Sequence, residues 1–220
     1  MISFSYYDCN ITKIFQYPKS KTLMKQVKII LLLVGMILLI GCAHLQPQPT
    51  FKYISWQTRQ AKLQQNKNWA IYGSLSVTHN KKRDTARFEW ENNQGNYIIN
   101  VMGPMNLNRI KIIGRTNKIE FCQSGNKCTQ AKSPEQLFFD KFGWQLPISN
   151  IQYWIRTLPA PTKIKKTNFD QYGHLVELEQ NGWRVNYSEF QSIKNIDLPT
   201  IIELKNSAFL IKLKITKILL

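Results

Sequence analysis

The chain has 220 residues, enough for one domain with a sizeable core, and 43% of them are hydrophobic, which is ordinary for a globular protein. Its formal net charge is +17, from 30 basic and 13 acidic side chains. A basic balance of this size suits nucleic acid, an anionic membrane or an acidic protein, and it excludes none of the three before the compartment is known.

The N-terminus has the pattern of an export signal. Met24 begins a segment in which Lys25 and Lys28 precede an apolar run over residues 29–41. The run is shorter than the roughly 20 residues that a membrane-spanning helix needs, and it has the length of a secretory signal. It ends in Leu-Ile-Gly before Cys42, which resembles a bacterial lipobox, where the cysteine is acylated and the signal is removed. The alternative is an uncleaved signal anchor in which Cys42 is an incidental thiol.

These signals divide the chain into three parts. We expect a lipoprotein signal peptide over residues 1–41, with translation starting at Met24 or upstream of it, a lipidated tether over residues 42–50, and one folded domain over residues 51–220. Ala43 follows the cysteine, which by analogy with bacterial sorting rules is compatible with the outer membrane. Residues 42–220 carry 25 basic and 12 acidic side chains. After export, this charge would lie outside the cytoplasm. An anionic lipid surface or an acidic periplasmic protein is therefore expected as a partner, and nucleic acid is not.

The polar residues do not form a catalytic pattern. The three histidines, His44, His79 and His174, lie in the tether or at turn signals, and no serine lies in a nucleophile-elbow sequence. There is also no glycine-rich phosphate loop. The sequence therefore predicts that the protein is not an enzyme, and it predicts neither a cofactor nor a metal site.

The two remaining cysteines lie close together in the sequence. Cys122 and Cys128 flank a segment containing Ser124-Gly125-Asn126, which is typical of a hairpin loop. In the oxidising periplasm they could form a disulfide across the hairpin, and the alternative is a pair of reduced thiols.

Hydrophobic periodicity predicts a sheet interrupted by helices. A helix is expected over residues 51–66, and period-two alternation then predicts strands that begin with residues 71–78 and 86–91. Ser133 and Pro134 mark the start of a helical insert, after which strands resume near residue 176. Short polar turns favour an antiparallel meander of about ten strands, with two or three helices on one side.

The inward face of this predicted sheet is rich in aromatic residues. Five of them share the inward phase, and Trp154 comes from the insert that would cover them. The five are Phe88, Trp90, Tyr97, Trp183 and Tyr187. They could form a well-filled core, or they could line a cavity for an apolar ligand if the sheet curves under its helices.

The order and spacing of several short motifs resemble the LolB family of outer-membrane lipoprotein receptors, over essentially all of residues 42–216. After the lipobox, these motifs are Gly73-x-Leu75-x-Val77, Phe88-x-Trp90, Gly103-Pro104-Met105, Leu146-Pro147-Ile148 with Trp154-Ile155, Pro159-Ala160-Pro161, Gln180-Asn181-Gly182-Trp183-Arg184-Val185-x-Tyr187 and Leu198-Pro199. No single motif is diagnostic, and the resemblance depends on their order.

The resemblance implies a mainly β (α+β) fold, an incomplete antiparallel β-barrel of about eleven strands with helices covering an apolar cavity. It implies a monomeric receptor, anchored through Cys42 at the periplasmic face of the outer membrane. Such a receptor accepts client lipoproteins from the soluble carrier LolA and inserts them among the outer membrane lipids. Trp90, Trp154 and Trp183 match tryptophans that face the family's cavity, and Phe88, Tyr97 and Tyr187 share the inward phase of Trp90 and Trp183.

The Gly103-Pro104-Met105 turn is the second site that the resemblance implies. Met105 matches an exposed apolar residue, usually leucine, on the loop that pushes acyl chains into the bilayer, and Pro104 precedes it. Asn106 stands where the family usually has glycine, and residues 216–218 lack the family's tryptophan. Two other functions remain open: a lipid-anchored envelope protein that binds lipid or acts as a scaffold without transfer, and an anchored hydrolase, which the lack of a catalytic pattern disfavours.

Overall fold

The computed structural model describes residues 25–26, 28–30, 51–106, 108–116, 118–123 and 127–220. The chain divides into two compact units, Met1–Gln48 and Pro49–Leu220. The described residues of the first unit are helical. The rest of the predicted signal peptide, Cys42 and the tether lie outside the described residues. Within the described parts of the chain, every helix is too short or too polar to cross a membrane.

The described part of the second unit consists of eleven strands, three α-helices and one 3₁₀ turn. The strands are β1 Asn68–His79, β2 Lys82–Asn93, β3 Asn96–Met102, β4 Ile110–Arg115, β5 Lys118–Gln123, β6 Lys127–Ala131, β7 Ile164–Phe169, β8 Leu175–Gln180, β9 Trp183–Ile193, β10 Ile196–Lys205 and β11 Phe209–Leu219. The helices are α1 Trp56–Gln65, α2 Pro134–Phe142 and α3 Ile148–Trp154, and the 3₁₀ turn is Pro104–Asn106.

All eleven strands form one antiparallel sheet in the order β6-β5-β4-β3-β2-β1-β11-β10-β9-β8-β7. A twisted sheet of this size curls instead of staying flat. It remains an incomplete barrel, because β6 and β7 are its two edges and do not pair with each other in the described residues. The predicted fold class is confirmed. In the chain, α2 and α3 lie between the two edge strands, so the helical insert connects the open sides of the barrel.

The sheet shows the predicted period-two alternation. In β11, Ile211, Leu213 and Ile215 are buried, whereas Lys212 and Lys214 between them are exposed. β1 contains one irregularity, where its register against β11 shifts between Tyr72 and Gly73. A Cβ atom on Gly73 would lie 2.3 Å from the Lys214 carbonyl oxygen, so the close approach of the two strands here requires glycine.

The first helix is shorter than the sequence predicts. Residues 51–55 are not helical, because the Ser55 hydroxyl accepts a hydrogen bond from the backbone N–H of Thr58 and caps α1 at its start. α1 buries Arg59 and Leu63.

The alternating strand directions place the turns at two ends of the sheet. The β1–β2, β3–β4, β8–β9 and β10–β11 turns lie at one end, which we call the mouth end, and the β2–β3, β7–β8 and β9–β10 turns lie at the other. α1 is attached to this other end. Arg59 of α1 donates to the Tyr172 carbonyl in the β7–β8 turn, and the Lys67 carbonyl after α1 accepts from Gln94 in the β2–β3 turn.

A buried charged cluster holds α1 in this position. Arg59 Nη1 lies 2.7 Å from Asp197 Oδ2, and His174 contacts the same oxygen through Nε2 at 3.1 Å. The other His174 nitrogen, Nδ1, lies 2.8 Å from Asp170 Oδ2. Phe190 stacks on the His174 ring, with the ring centroids 4.2 Å apart. His174 therefore does more than follow a turn, because it links the β7–β8 turn to the start of β10.

The pKa of Asp197 reflects this cluster. Burial alone would raise the pKa, but the hydrogen bonds from His174 and Arg59 and the charge of Arg59 outweigh it and lower the pKa. The stabilisation by this carboxylate is therefore present above the unfolded pKa of about 3.9, and it is lost as the pH falls through the lowered folded pKa.

Asp197→Ala should destabilise the domain strongly, because it leaves the buried Arg59 guanidinium without a counter-ion. Breaking a buried ion pair in this way costs about 3–5 kcal/mol. Glu203→Ala is the matched control, since it breaks the more exposed pair with Lys212 and should cost less than about 1 kcal/mol. Urea unfolding at pH 7 measures both values. Equal losses in the two variants would show that the cluster does not hold α1.

Candidate functional site: an apolar cavity and its mouth

A cavity of about 420 Å³ lies between the inner face of the sheet and the helical insert. This volume is in the range of about 300–1,000 Å³ typical of ligand pockets. The sheet side of the wall includes Leu75, Phe88, Trp90, Ile99, Ile112 and Leu213, and the insert contributes Phe138, Phe142, Trp144, Ile148 and Ile151. Because nearly every wall residue is apolar, the cavity suits a ligand that brings hydrocarbon and few polar groups.

The polar and exposed residues of the wall lie at the mouth end. Asp84 and Thr85 come from the start of β2, and Gly103 and Asn108 come from the β3–β4 turn. Asp84, Thr85 and Asn108 are exposed to solvent. The cavity therefore meets solvent beside the β3–β4 turn, while α1 lies at the opposite end of the sheet.

α2 is fixed over the cavity by its caps and by aromatic contacts. Ser133 Oγ accepts from the Gln136 backbone N–H at 3.1 Å, as the sequence predicts for an N-cap, and Gly143 ends the helix with a φ of 69°. The Phe142 ring lies 5.6 Å from the Phe138 ring and 5.7 Å from the Trp144 ring, measured between centroids. These rings form the part of the cavity wall that faces the sheet.

The structure places two of the six predicted cavity aromatics, Phe88 and Trp90, in the cavity wall. Trp154 is fully buried outside that wall, where its Nε1–H donates to Gln180 Oε1 at 2.8 Å. The Trp183 ring packs beside the Trp154 ring, 6.4 Å away between centroids.

Tyr97 and Tyr187 also share the inner face without lining the cavity. Tyr97 covers Gly114, and burial, followed by the charge of Glu135, raises its pKa to about 12. Full burial likewise raises the pKa of Tyr187 above the ordinary tyrosine range. These four aromatic residues lie outside the cavity wall because the inner face of the sheet is longer than the cavity, and their rings fill the space beyond it. A period-two pattern assigns a side chain to a face but does not say where along that face a void remains.

Met105 lies at the tip of the β3–β4 turn with 90% of its surface exposed. Its φ of 56° is in the left-handed region, which costs a residue other than glycine about 1–2 kcal/mol. The strained backbone costs stability and the exposed side chain contributes almost no burial to offset it, which makes Met105 a candidate for function. The 3₁₀ turn that carries Met105 contacts β2, the strand that supplies Asp84 and Thr85 to the mouth.

Cys122 and Cys128 are also at the mouth end. They are opposite each other in the register of β5 and β6, and the structure joins them by a disulfide. This bond crosslinks the hairpin that forms one edge of the sheet. In the described ranges, no group of three or more histidine, cysteine, aspartate or glutamate side chains could hold a metal ion.

A family model described as "Outer membrane lipoprotein LolB" matches residues 67–217 of this chain. The chain belongs to the LolB family. It is 32% identical over 181 residues to the outer-membrane lipoprotein LolB of Coxiella burnetii strain RSA 493, which covers 80% of this chain and 86% of that relative. It is 30% identical over 195 residues to LolB of Nitrosococcus oceani, covering 87% and 97% of the two chains. Among solved structures, a LolA superfamily protein from Nitrosomonas europaea aligns with a TM-score of 0.49 and 13% identity, covering 76% of this chain and 94% of that chain.

Filling the cavity should weaken the binding of a fluorescent fatty acid. Ala86 lines the cavity, so Ala86→Trp would occupy space that the hydrocarbon needs. Each methylene left unburied is worth about 0.8 kcal/mol, so losing two or three would weaken binding roughly 10- to 60-fold. The control is Ala208→Trp at the exposed β10–β11 turn, which should bind as the wild type does. Unchanged affinity of Ala86→Trp in a fluorescence titration would place the ligand elsewhere.

Proposed function

We propose that this LolB-family protein is an outer-membrane lipoprotein receptor, anchored through lipids on Cys42 and facing the periplasm. It accepts lipoproteins from the periplasmic carrier LolA, holds their acyl chains in the apolar cavity and inserts them into the outer membrane. The observation that carries this proposal is the apolar cavity of about 420 Å³ that meets solvent next to an exposed methionine. The family and the names of its relatives support the same function.

Energetics explain why such a protein needs a cavity. At about 0.8 kcal/mol per methylene, exposing one long acyl chain to water costs on the order of 10 kcal/mol. A carrier and a receptor must therefore pass the chain from one apolar site to another without exposing it. The transfer needs no nucleotide if the second site binds the chain better by a few kcal/mol.

Within the cavity, Phe88 and Trp90 would contact the acyl chain from the sheet side, and Phe138 and Phe142 would contact it from α2. The other four predicted aromatics would act from behind the wall, where their packing keeps the inner face rigid. Trp154, for example, is held by its hydrogen bond to Gln180. A wall of large rings suits an acyl chain because it offers area for contact without fixing one chain conformation.

Pro104 and Met105 would form the element that directs the chain into the bilayer. The turn adjoins the cavity mouth, and its tip is apolar and exposed. Methionine is unbranched and adaptable, so it can pack against lipid or against a moving acyl chain. An anchored lipid-binding protein without a transfer role would also need the cavity, but it would have no need of Met105 at the mouth.

Met105→Glu should leave acyl-chain binding intact and slow lipoprotein insertion. Burying a methionine contributes about 1.5–3 kcal/mol, so its loss should reduce the insertion rate roughly 10- to 150-fold. The measurement is transfer of a labelled lipoprotein from carrier to receptor and then into vesicles, with the two steps followed separately.

Two variants control for this change. Met105→Leu keeps an apolar tip, and Phe139→Glu removes an exposed apolar residue from α2, away from the β3–β4 turn. Both variants should insert lipoproteins at the normal rate. Normal insertion by Met105→Glu would exclude this turn from the transfer step and favour the lipid-binding alternative.

Depletion of the protein in cells tests the proposed class of function. Carrier-bound lipoproteins should accumulate in the periplasm, because the acyl chains would have no acceptor. Cell fractionation with detection of lipoproteins bound to the carrier measures this accumulation. Unchanged sorting of lipoproteins after depletion would refute the receptor function, whatever the cavity binds.

A further inference from the structure

We propose that the mouth of the cavity docks on anionic phospholipid headgroups through a group of basic side chains at the same end of the sheet as Met105. These side chains are Lys81, Lys82, Arg83 and Arg109, and we call them the basic rim. The proposal rests on the proposed function, because it says how the mouth reaches the membrane into which the acyl chain is released.

The basic rim lies at the end of the sheet that carries the mouth. Lys81, Lys82 and Arg83 form the β1–β2 turn and the start of β2, directly before Asp84 of the cavity wall. Arg109 follows Asn108, which also lines the cavity, and all four basic side chains are exposed. Asp84 is the acidic residue among them, so the local charge is strongly positive.

The ion pairs on the sheet involve other basic side chains. Glu179 is neutralised by Arg184 at 2.7 Å, and Glu203 is neutralised by Lys212 at 2.8 Å. Within the described part of the chain, none of the four rim side chains makes an ion pair. Their charge is therefore available to a partner outside the molecule.

A membrane surface fits the mouth better than an acidic protein, because the mouth combines two kinds of attraction. Burying Met105 alone favours membrane contact by roughly 10- to 150-fold, which gives only reversible binding. Stable interfacial binding generally needs a second signal, and a polybasic patch beside an apolar group provides it. Each Lys or Arg close to an anionic surface increases the affinity for that surface roughly fivefold.

The test uses the complete lipidated protein in vesicles, so that the anchor keeps every variant on the membrane and only the mouth contact changes. Met105→Cys carries an environment-sensitive fluorophore that reports whether the turn enters the bilayer, since Cys122 and Cys128 are joined in the disulfide. The rim variant is Lys81→Gln/Lys82→Gln/Arg83→Gln. The matched control, Lys52→Gln/Lys62→Gln/Lys67→Gln, removes three exposed charges in and around α1, at the opposite end.

In vesicles of phosphatidylcholine with phosphatidylglycerol at low salt, the ratio of inserted to free turns should fall roughly 100-fold in the rim variant. It should stay within about twofold of wild type in the control, and added salt should reduce the difference by screening. In vesicles of phosphatidylcholine alone, rim variant and wild type should behave alike. The proposal would be overturned if the rim variant inserted its turn into anionic vesicles as well as the wild type does. It would also be overturned if the control lost as much insertion as the rim variant.

Two further measurements distinguish headgroup binding from carrier docking and test the proposed function separately. If the rim variant inserts its turn normally but takes up lipoprotein slowly from an acidic carrier, the rim is a carrier-docking surface and the lipid proposal is wrong. Binding of a fluorescent fatty acid by the wild type is measured in parallel. A wild type that binds no fatty acid would refute the proposed function, while a rim-dependent response to phosphatidylglycerol would still support headgroup binding.

Discussion

The structure depends on a sheet that curls without closing. β6 and β7 remain edges, so the apolar inner face cannot be buried by the sheet alone. The chain covers it with the segment that connects those two edges, and α2 and α3 belong to that segment. Helices packed across a curved sheet do not fill all the space beneath them, and the unfilled part is the cavity of about 420 Å³.

The two ends of the sheet differ in the interactions that stabilise them. At the end occupied by α1, the buried ion pair of Arg59 and Asp197, together with His174, ties the helix to two turns. At the mouth end, the β3–β4 turn carries an exposed Met105 in a strained conformation. The buried ion pair therefore stabilises one end, and the exposed Met105 in its left-handed conformation lies at the other, beside the opening of the cavity.

Much of the fold could be predicted from the sequence, because alternation in strands such as β11 is unambiguous and the turns between them are short. The start of α2 was also predictable, since Ser133 and Pro134 form a familiar capping pattern. The start of α1 was not, because Ser55 ends an extended segment whose contacts come from distant residues. For His174 the sequence indicates only a position after a turn, because the carboxylate of Asp197 reaches it through the pairing of distant strands.

The sequence by itself determined which side chains face inward, how aromatic that face is, and that an apolar residue occupies the turn at Met105. Only the tertiary structure decided that Phe88 and Trp90 border empty space while Trp154 and Tyr187 do not. The reason is that alternation along a strand specifies a face, whereas a void depends on how elements far apart in the chain pack together. The same packing of turns places Met105 and the basic side chains of the β1–β2 turn at one mouth.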